Sequence, residues 1–258
     1  HRVDRRQRQM CIRDREWRAR VDLAAVYRLT DYYGWTSVVY NHITLRIPGT
    51  DTFLINPFGL RYDEIRASNL VRLDLDGNKL DDIDAPINKA GYIIHSAIHA
   101  ARKDDLHCVM HTHEPISQTM CSVEEKFVPM VQEACQLYER VGYHEFEGIV
   151  LDSSEKERMI KALGKKNHTL VLKNHGLLTA GPSAIWAFVR HQIFIRNSDI
   201  QLRALSSGAK LSQIPIAVIE HTREQFEGGS AQGGAVVRHP EWPAFWRLLD
   251  KLDPEWKT

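Results

Sequence analysis

His111 and His113 flank Thr112, and His175 lies between Asn174 and Gly176. Imidazole is a common ligand for divalent transition metals, and three neutral imidazoles leave open the coordination position that a catalytic metal needs. The H-x-H spacing is weak by itself, because thirteen histidines in 258 positions give about 0.7 such pairs by chance. Context adds weight. LHCVMHTH (106–113) is short and apolar-rich, as a buried strand is, and residues two apart on a strand project to one face. On a helix the two rings would diverge by about 200°. His175 ends the apolar run TLVLKNH, at a glycine turn able to aim a side chain at a neighbouring strand. The competing reading is a set of hydrogen-bonded core histidines.

Further polar groups could move protons. Tyr143, His144 and Glu145 cluster just ahead of EGIVLD, a short strand by pattern, and could act across a subunit boundary or form a solvated loop. His95 and His99 stand four apart on a helical pattern, suited either to orienting metal ligands through hydrogen bonds or to core packing. Glu114 adjoins the ligand strand but alternates away from the two histidines.

The elements that must carry these groups are readable in outline. Val21, Ala25, Leu29 and Tyr32 recur at helical spacing over 17–33, and Gly34 stands where a C-cap glycine would. VVYNHITLRI (38–47), the PGTD turn and TFLINP predict a hairpin. Val71, Leu73 and Leu75 alternate before Asp76-Gly77, predicting a further strand pair. Helices are expected over 88–103, near 128–139 and over 154–163. TLVLKNHGLLTAGP reads as strand, turn, strand, and Ser183 opens a long helix to about Leu205. Residues 1–16 are strongly basic without apolar periodicity, and read as a disordered or non-native leader rather than a nucleic-acid-binding arm. The domain is placed at 17–213. Residues 214–258 read as an extension, with a flexible glycine-rich loop at 227–237 and a packing face of Trp242, Phe245, Trp246 and Trp256.

The whole chain has 43% hydrophobic residues and a net charge of +1, enough apolar content for one large core and too little charge to attract nucleic acid or an anionic membrane. Cys11, Cys108, Cys121 and Cys135 show no C-x-x-C spacing, which fits reduced thiols. With no apolar run near the ~18 residues of a membrane span and no secretory signal, a cytoplasmic protein is expected.

GWTSVVYNHITLRI, FLINPFGL, NKAGYIIHSAIHAARK, CVMHTH, YHEFEGI and VLKNHGLLTAG, in this order over residues 20–208, resemble the successive motifs of the class II aldolase and adducin family. The resemblance implies an α/β fold, three layers α/β/α around a mainly antiparallel sheet, and a homotetramer with active sites between subunits. It also implies one divalent metal on His111, His113 and His175, zinc first, with manganese, iron, cobalt or nickel as alternatives. Tyr40, Asn41 and Asn56 fall where the family holds its substrate.

The departures narrow the activity. Where the family's sugar-phosphate aldolases carry Ser-Ser-Glu, this chain has Lys89-Ala90-Gly91. Where they carry Thr-Pro-Ser-Gly, it has Asn56-Pro57-Phe58-Gly59. Glycine cannot move a proton and phenylalanine cannot donate to a phosphate oxygen. The expectation is a metal-dependent lyase acting on a small unphosphorylated hydroxy or oxo compound by enolate stabilisation, through aldol-type cleavage, decarboxylation or β-elimination. His144, with Tyr143 and Glu145, would replace the glutamate, with Tyr40 and His42 next in line. The alternative is a non-catalytic adducin-like interaction module.

Overall fold

A computed structural model describes residues 2–148, 153–232 and 239–258. Seven strands form one sheet: β1 (His42–Arg46), β2 (Phe53–Ile55), β3 (Val71–Leu73), β4 (Cys108–Thr112), β5 (Val141–His144), β6 (Thr169–Leu172) and β7 (Gly176–Gly181). Their order is β3-β2-β1-β4-β7-β6-β5, and every neighbouring pair is antiparallel except β5 with β6. The expected mainly antiparallel α/β architecture is present.

Alternation along the strands divides the core in two. On β4, Cys108 and Met110 join α1 (Arg2–Tyr32) and α5 (Ala184–Ser206) in one apolar layer. Val109, on the opposite face, meets Ile94 and Ile98 of α2 (Lys89–Ala101) and Met159 and Leu163 of α4 (Ser153–Leu163). Helices thus cover both faces, giving three layers. His111 shares the Val109 face, towards α2.

Several boundaries differ from the sequence reading. Residues 2–16 are not an unstructured leader but the first half of α1. No glycine or proline interrupts the chain before Gly34, and arginine, glutamine and methionine are good helix formers. Glu16 ties this half to the body through Arg20 and Arg72, each at 2.9 Å. Gly34 (φ +71°) ends α1, with Trp35 N–H donating back to Thr30 O at 2.9 Å.

Between 128 and 139 only a 3-10 segment, Gln132–Leu137, forms, since Pro129 withholds a donor just upstream. The strand expected at 147–152 falls on residues of which 149–152 lie outside the described residues, and β5 runs earlier in the chain, at Val141–His144. A short helix α3 (Pro115–Cys121) follows β4. The pair predicted around Asp76-Gly77 is reduced to one bridge, Leu73 with Lys79. Residues 227–232 of the presumed loop belong to helix α6 (Ile216–Gln232), and 233–237 lie outside the described residues.

The C-terminal aromatics pack within the chain. Phe245 and Trp246 of α7 (Trp242–Leu252) rest on the layer built by α1 and α5. Trp256 is fully buried, edge-on to Trp246 at 5.5 Å. Among the described residues no helix is long and apolar enough to cross a membrane.

Candidate metal centre

β4 ends at Thr112, so His111 sits on the strand and His113 one residue beyond it. His175 comes from the hairpin between β6 and β7, whose tight turn places Asn174 at φ +55°. This turn is fastened to α3: Asn174 N–H donates to Cys121 O (2.8 Å), Gln118 Nε2 donates to His175 O (2.9 Å), and the Cys121 thiol donates to Gly176 O (3.2 Å). Gly176 is required by close approach. A Cβ there would lie 2.5 Å from Thr112 O, 2.9 Å from His113 Cδ2 and 3.1 Å from His111 Cε1. The glycine of N-H-G is thus what lets the hairpin close onto the H-x-H segment.

One ring nitrogen from each of His111, His113 and His175 lies within 4.8 Å of the other two. Tetrahedral zinc with Zn–N near 2.1 Å spaces its ligand nitrogens by about 3.4 Å, so small side-chain adjustments suffice. His111 Nδ1 bonds to the Leu177 carbonyl at 2.9 Å, which can only accept. The Nε2 lone pair of neutral His111 is therefore turned to His113 Nε2, 2.9 Å away. Burial, then the neighbouring histidines, hold His111 well below the ordinary imidazole range. Burial and His175 push His113 down to about 4, and burial lowers His175. Neutral imidazoles are the form that binds metal, so the set fits a divalent ion.

His42 was a reserve candidate in the sequence, and the structure puts it beside this cluster. It pairs with His111 across β1 and β4, with ring centroids 5.0 Å apart. Its Nδ1 meets His95 Nε2 at 2.9 Å. His95 Nδ1 and His99 Nε2 both meet Thr44 Oγ1 at 2.8 Å. His95 thus backs His42 directly and His99 does so through Thr44 and His95. The ring of His42 fills the space above the first turn of α2: a Cβ on Gly91 would fall 2.2 Å from His42 Cδ2.

The remaining candidates divide. His144 is buried and lines the same small cleft as His175, with Nε2 3.6 Å from Glu155 and 4.0 Å from Glu147. Tyr143, one residue earlier on β5, faces the opposite layer, where its hydroxyl accepts from Phe127 N–H at 2.9 Å. Strand alternation separates it from the histidines. Glu145 is exposed and pairs with Lys173 at 3.0 Å.

Asn41 is buried and committed internally. Its Nδ2 donates to Trp35 O (3.0 Å) and its Oδ1 accepts from His113 N–H (3.2 Å), so it holds the backbone of His113 rather than presenting a free amide. Asn56 is likewise spent, on Tyr27 Oη (2.8 Å) and Pro57 O (3.2 Å). Tyr40 is exposed, with its ring edge-on to Phe58 at 6.4 Å. Glu114 caps α3, accepting from Ile116 and Ser117 N–H at 2.9 and 2.7 Å, away from the cluster as alternation requires.

Residues 21–202 match the family model described as the class II aldolase and adducin N-terminal domain. The chain belongs to this family. It is 40% identical, over 94% of its length and 93% of the relative's, to a Pseudomonas aeruginosa protein provisionally named an aldolase class 2 protein. Rat alpha-adducin is 36% identical over 90% of this chain, which spans 33% of that longer protein. A crystal structure of an aldolase II superfamily protein from Pseudomonas syringae superposes with a TM-score of 0.85 at 40% identity, covering 95% of this chain and 96% of the other.

Proposed function

We propose that this class II aldolase family member is a metal-dependent lyase acting on a small unphosphorylated hydroxy or oxo compound. The observation that carries the reading is the convergence of His111, His113 and His175 as neutral imidazoles around a Gly176 that admits no side chain. A divalent ion, zinc first and manganese, iron, cobalt or nickel after it, would supply the Lewis acidity that stabilises charge on a substrate oxygen.

The protein's own groups supply the rest. Asn41 fixes the backbone of His113, and the Leu177 carbonyl fixes the tautomer of His111. His144, from the cleft it shares with His175, is the proposed general acid or base, with its Nε2 3.6 Å from the Glu155 carboxylate and making no hydrogen bond of its own among the described residues. A carboxylate at that position also stabilises the imidazolium formed when the ring accepts a proton. The aromatic pair Tyr40 and Phe58 offers only the tyrosine hydroxyl to a ligand, which favours a substrate without phosphate. A homotetramer in the cytoplasm, with sites completed between subunits, completes the proposal.

The second reading is an adducin-like interaction module without turnover, supported by the 36% identity to alpha-adducin and by Gly91 at the first turn of α2. Metal analysis of the purified protein, with turnover assays on a panel of hydroxy acids and oxo acids, separates the two. Bound metal with cleavage or decarboxylation of a panel member supports the lyase. A metal-free, inactive protein supports the module, and efficient cleavage of a sugar phosphate that depends on its phosphate would overturn the substrate class. Light scattering tests the tetramer.

A further inference from the structure

The sheet carries the histidines at one end of β4 and β7, and a second cavity, of about 560 Å3, opens at the other. Its walls gather cations from four segments, Arg102 capping α2, Arg140 ahead of β5, Lys165 and Lys166 between α4 and β6, and Arg190 of α5, against three carboxylates, Asp104, Asp105 and Glu227. Asp105 takes the Nε and Nη2 of Arg102, and Glu227 takes Arg140 Nη2 at 2.9 Å. Arg190 is different. Its Nη1 donates to Ala180 O at 2.6 Å and its guanidinium lies 5.7 Å from the Trp186 ring centroid. No carboxylate among the described residues pairs with it, nor with Lys165 or Lys166.

The concentration of positive charge is felt by its members. Burial pushes Arg190 down to about 10; Asp105 opposes this, and Arg102 and Arg140 add to it by smaller amounts. Burial followed by Arg190, Arg140 and Arg102 holds His168 well below the ordinary range. Like charges drawn together at a concave, partly dry surface are stabilised by a multiply charged oxyanion, for which guanidinium forks are well shaped.

We propose that this cavity binds a phosphorylated small molecule, with the phosphate between Arg190 and Arg140 and with Lys165 and Lys166 at the rim, while Arg102, whose Nη1 donates to Gly164 O (2.7 Å) and Asn167 O (3.0 Å), braces the wall. The volume exceeds what a phosphate needs, and the half-buried Trp186 and Phe226 on the wall leave an apolar surface for an organic part. His107, which lines the cavity, is six residues from His113, about 20 Å along an extended strand. One small substrate cannot reach both, so this is a second ligand, and the inference does not rest on the proposed lyase reaction.

The test is calorimetric titration of inorganic pyrophosphate into the full chain carrying His111→Ala, treated with chelator so that no metal at the histidines competes for the probe. Saturable binding that weakens with added salt is expected, reduced at least tenfold by Arg190→Gln and by the double variant Lys165→Glu/Lys166→Glu. The two lysines are surface residues on a turn, so the double variant keeps the test decisive if removing Arg190 disturbs α5. No binding, or equal binding in the double variant and its parent, would overturn the proposal. So would a loss of binding accompanied by a change in assembly size, which would make the basic surface a contact between copies.

Discussion

At the scale of single residues, the histidine cluster depends on contacts that can be removed one at a time. His111→Ala or His175→Ala should empty the metal site, because two remaining imidazoles bind far more weakly than three; elemental analysis reads this directly. Full occupancy in both variants would dismiss the assignment. His144→Ala should retain metal and assembly yet lose activity by roughly 100-fold or more if its role is proton transfer. Unchanged turnover would remove it from the mechanism. A third prediction concerns Gly91, whose absent side chain leaves room for His42. Gly91→Ala should destabilise the protein by about 1–3 kcal/mol through overpacking, although alanine is the better helix former. In a His42→Ala background the same change should be neutral or stabilising, and urea unfolding of the four proteins measures the coupling. Equal effects in both backgrounds would show that the ring is not what glycine accommodates.

At the scale of elements, β1, β4 and β7 lie side by side and deliver His42, His111 and the His175 turn to one end of the sheet. α3 fastens that turn from behind. The C-terminal elements serve α1 instead. Trp256 is wholly buried, its indole N–H donates to Asp250 at 3.1 Å, and the Thr258 carbonyl accepts from Ser68 N–H at 3.0 Å. Trp256→Ala should therefore cost about 3–5 kcal/mol, the range for emptying a large aromatic site. Thermal and urea unfolding check this, and a loss below about 1 kcal/mol would mean the segment is dispensable to the core.

At the scale of the whole molecule, buried histidines set the acid stability. Burial pushes His99 and His191 down to about 3 and holds His95 and His168 well below the ordinary value, all of them apart from the metal ligands. In the unfolded chain each titrates near 6.5. Between these values the unfolded state binds more protons, so stability is full above about pH 6.5 and falls as pH drops towards the folded values. Each histidine contributes a slope of up to about 1.4 kcal/mol per pH unit. The metal-free protein should unfold on acidification above pH 4, as followed by circular dichroism. His191, held between Thr112 Oγ1 (2.7 Å) and Thr179 Oγ1 (3.0 Å), gives the control. His191→Gln should lower proton uptake on unfolding by about one, and unchanged uptake would show that this ring is protonated in the fold.

The three converging histidines were legible in the sequence because strand alternation and the N-H-G turn are local rules and the family resemblance joined them, and the long helix from Ser183 was legible because its apolar period is local too. The amphipathic stretch before Gly34 predicted α1 but not its start, since the basic half is helical without an apolar stripe and is held by Glu16 reaching Arg72. The fates of Asn41, Asn56 and Tyr143 were invisible. An amide is free or spent according to which backbone lies beside it, and Tyr143 faces away from His144 only once β5 begins at Val141. Local pattern determined which residues exist to do chemistry. Only the packing of β1 against β4, and of the His175 hairpin against α3, decided which of them meet, because those contacts join segments tens of residues apart in the chain.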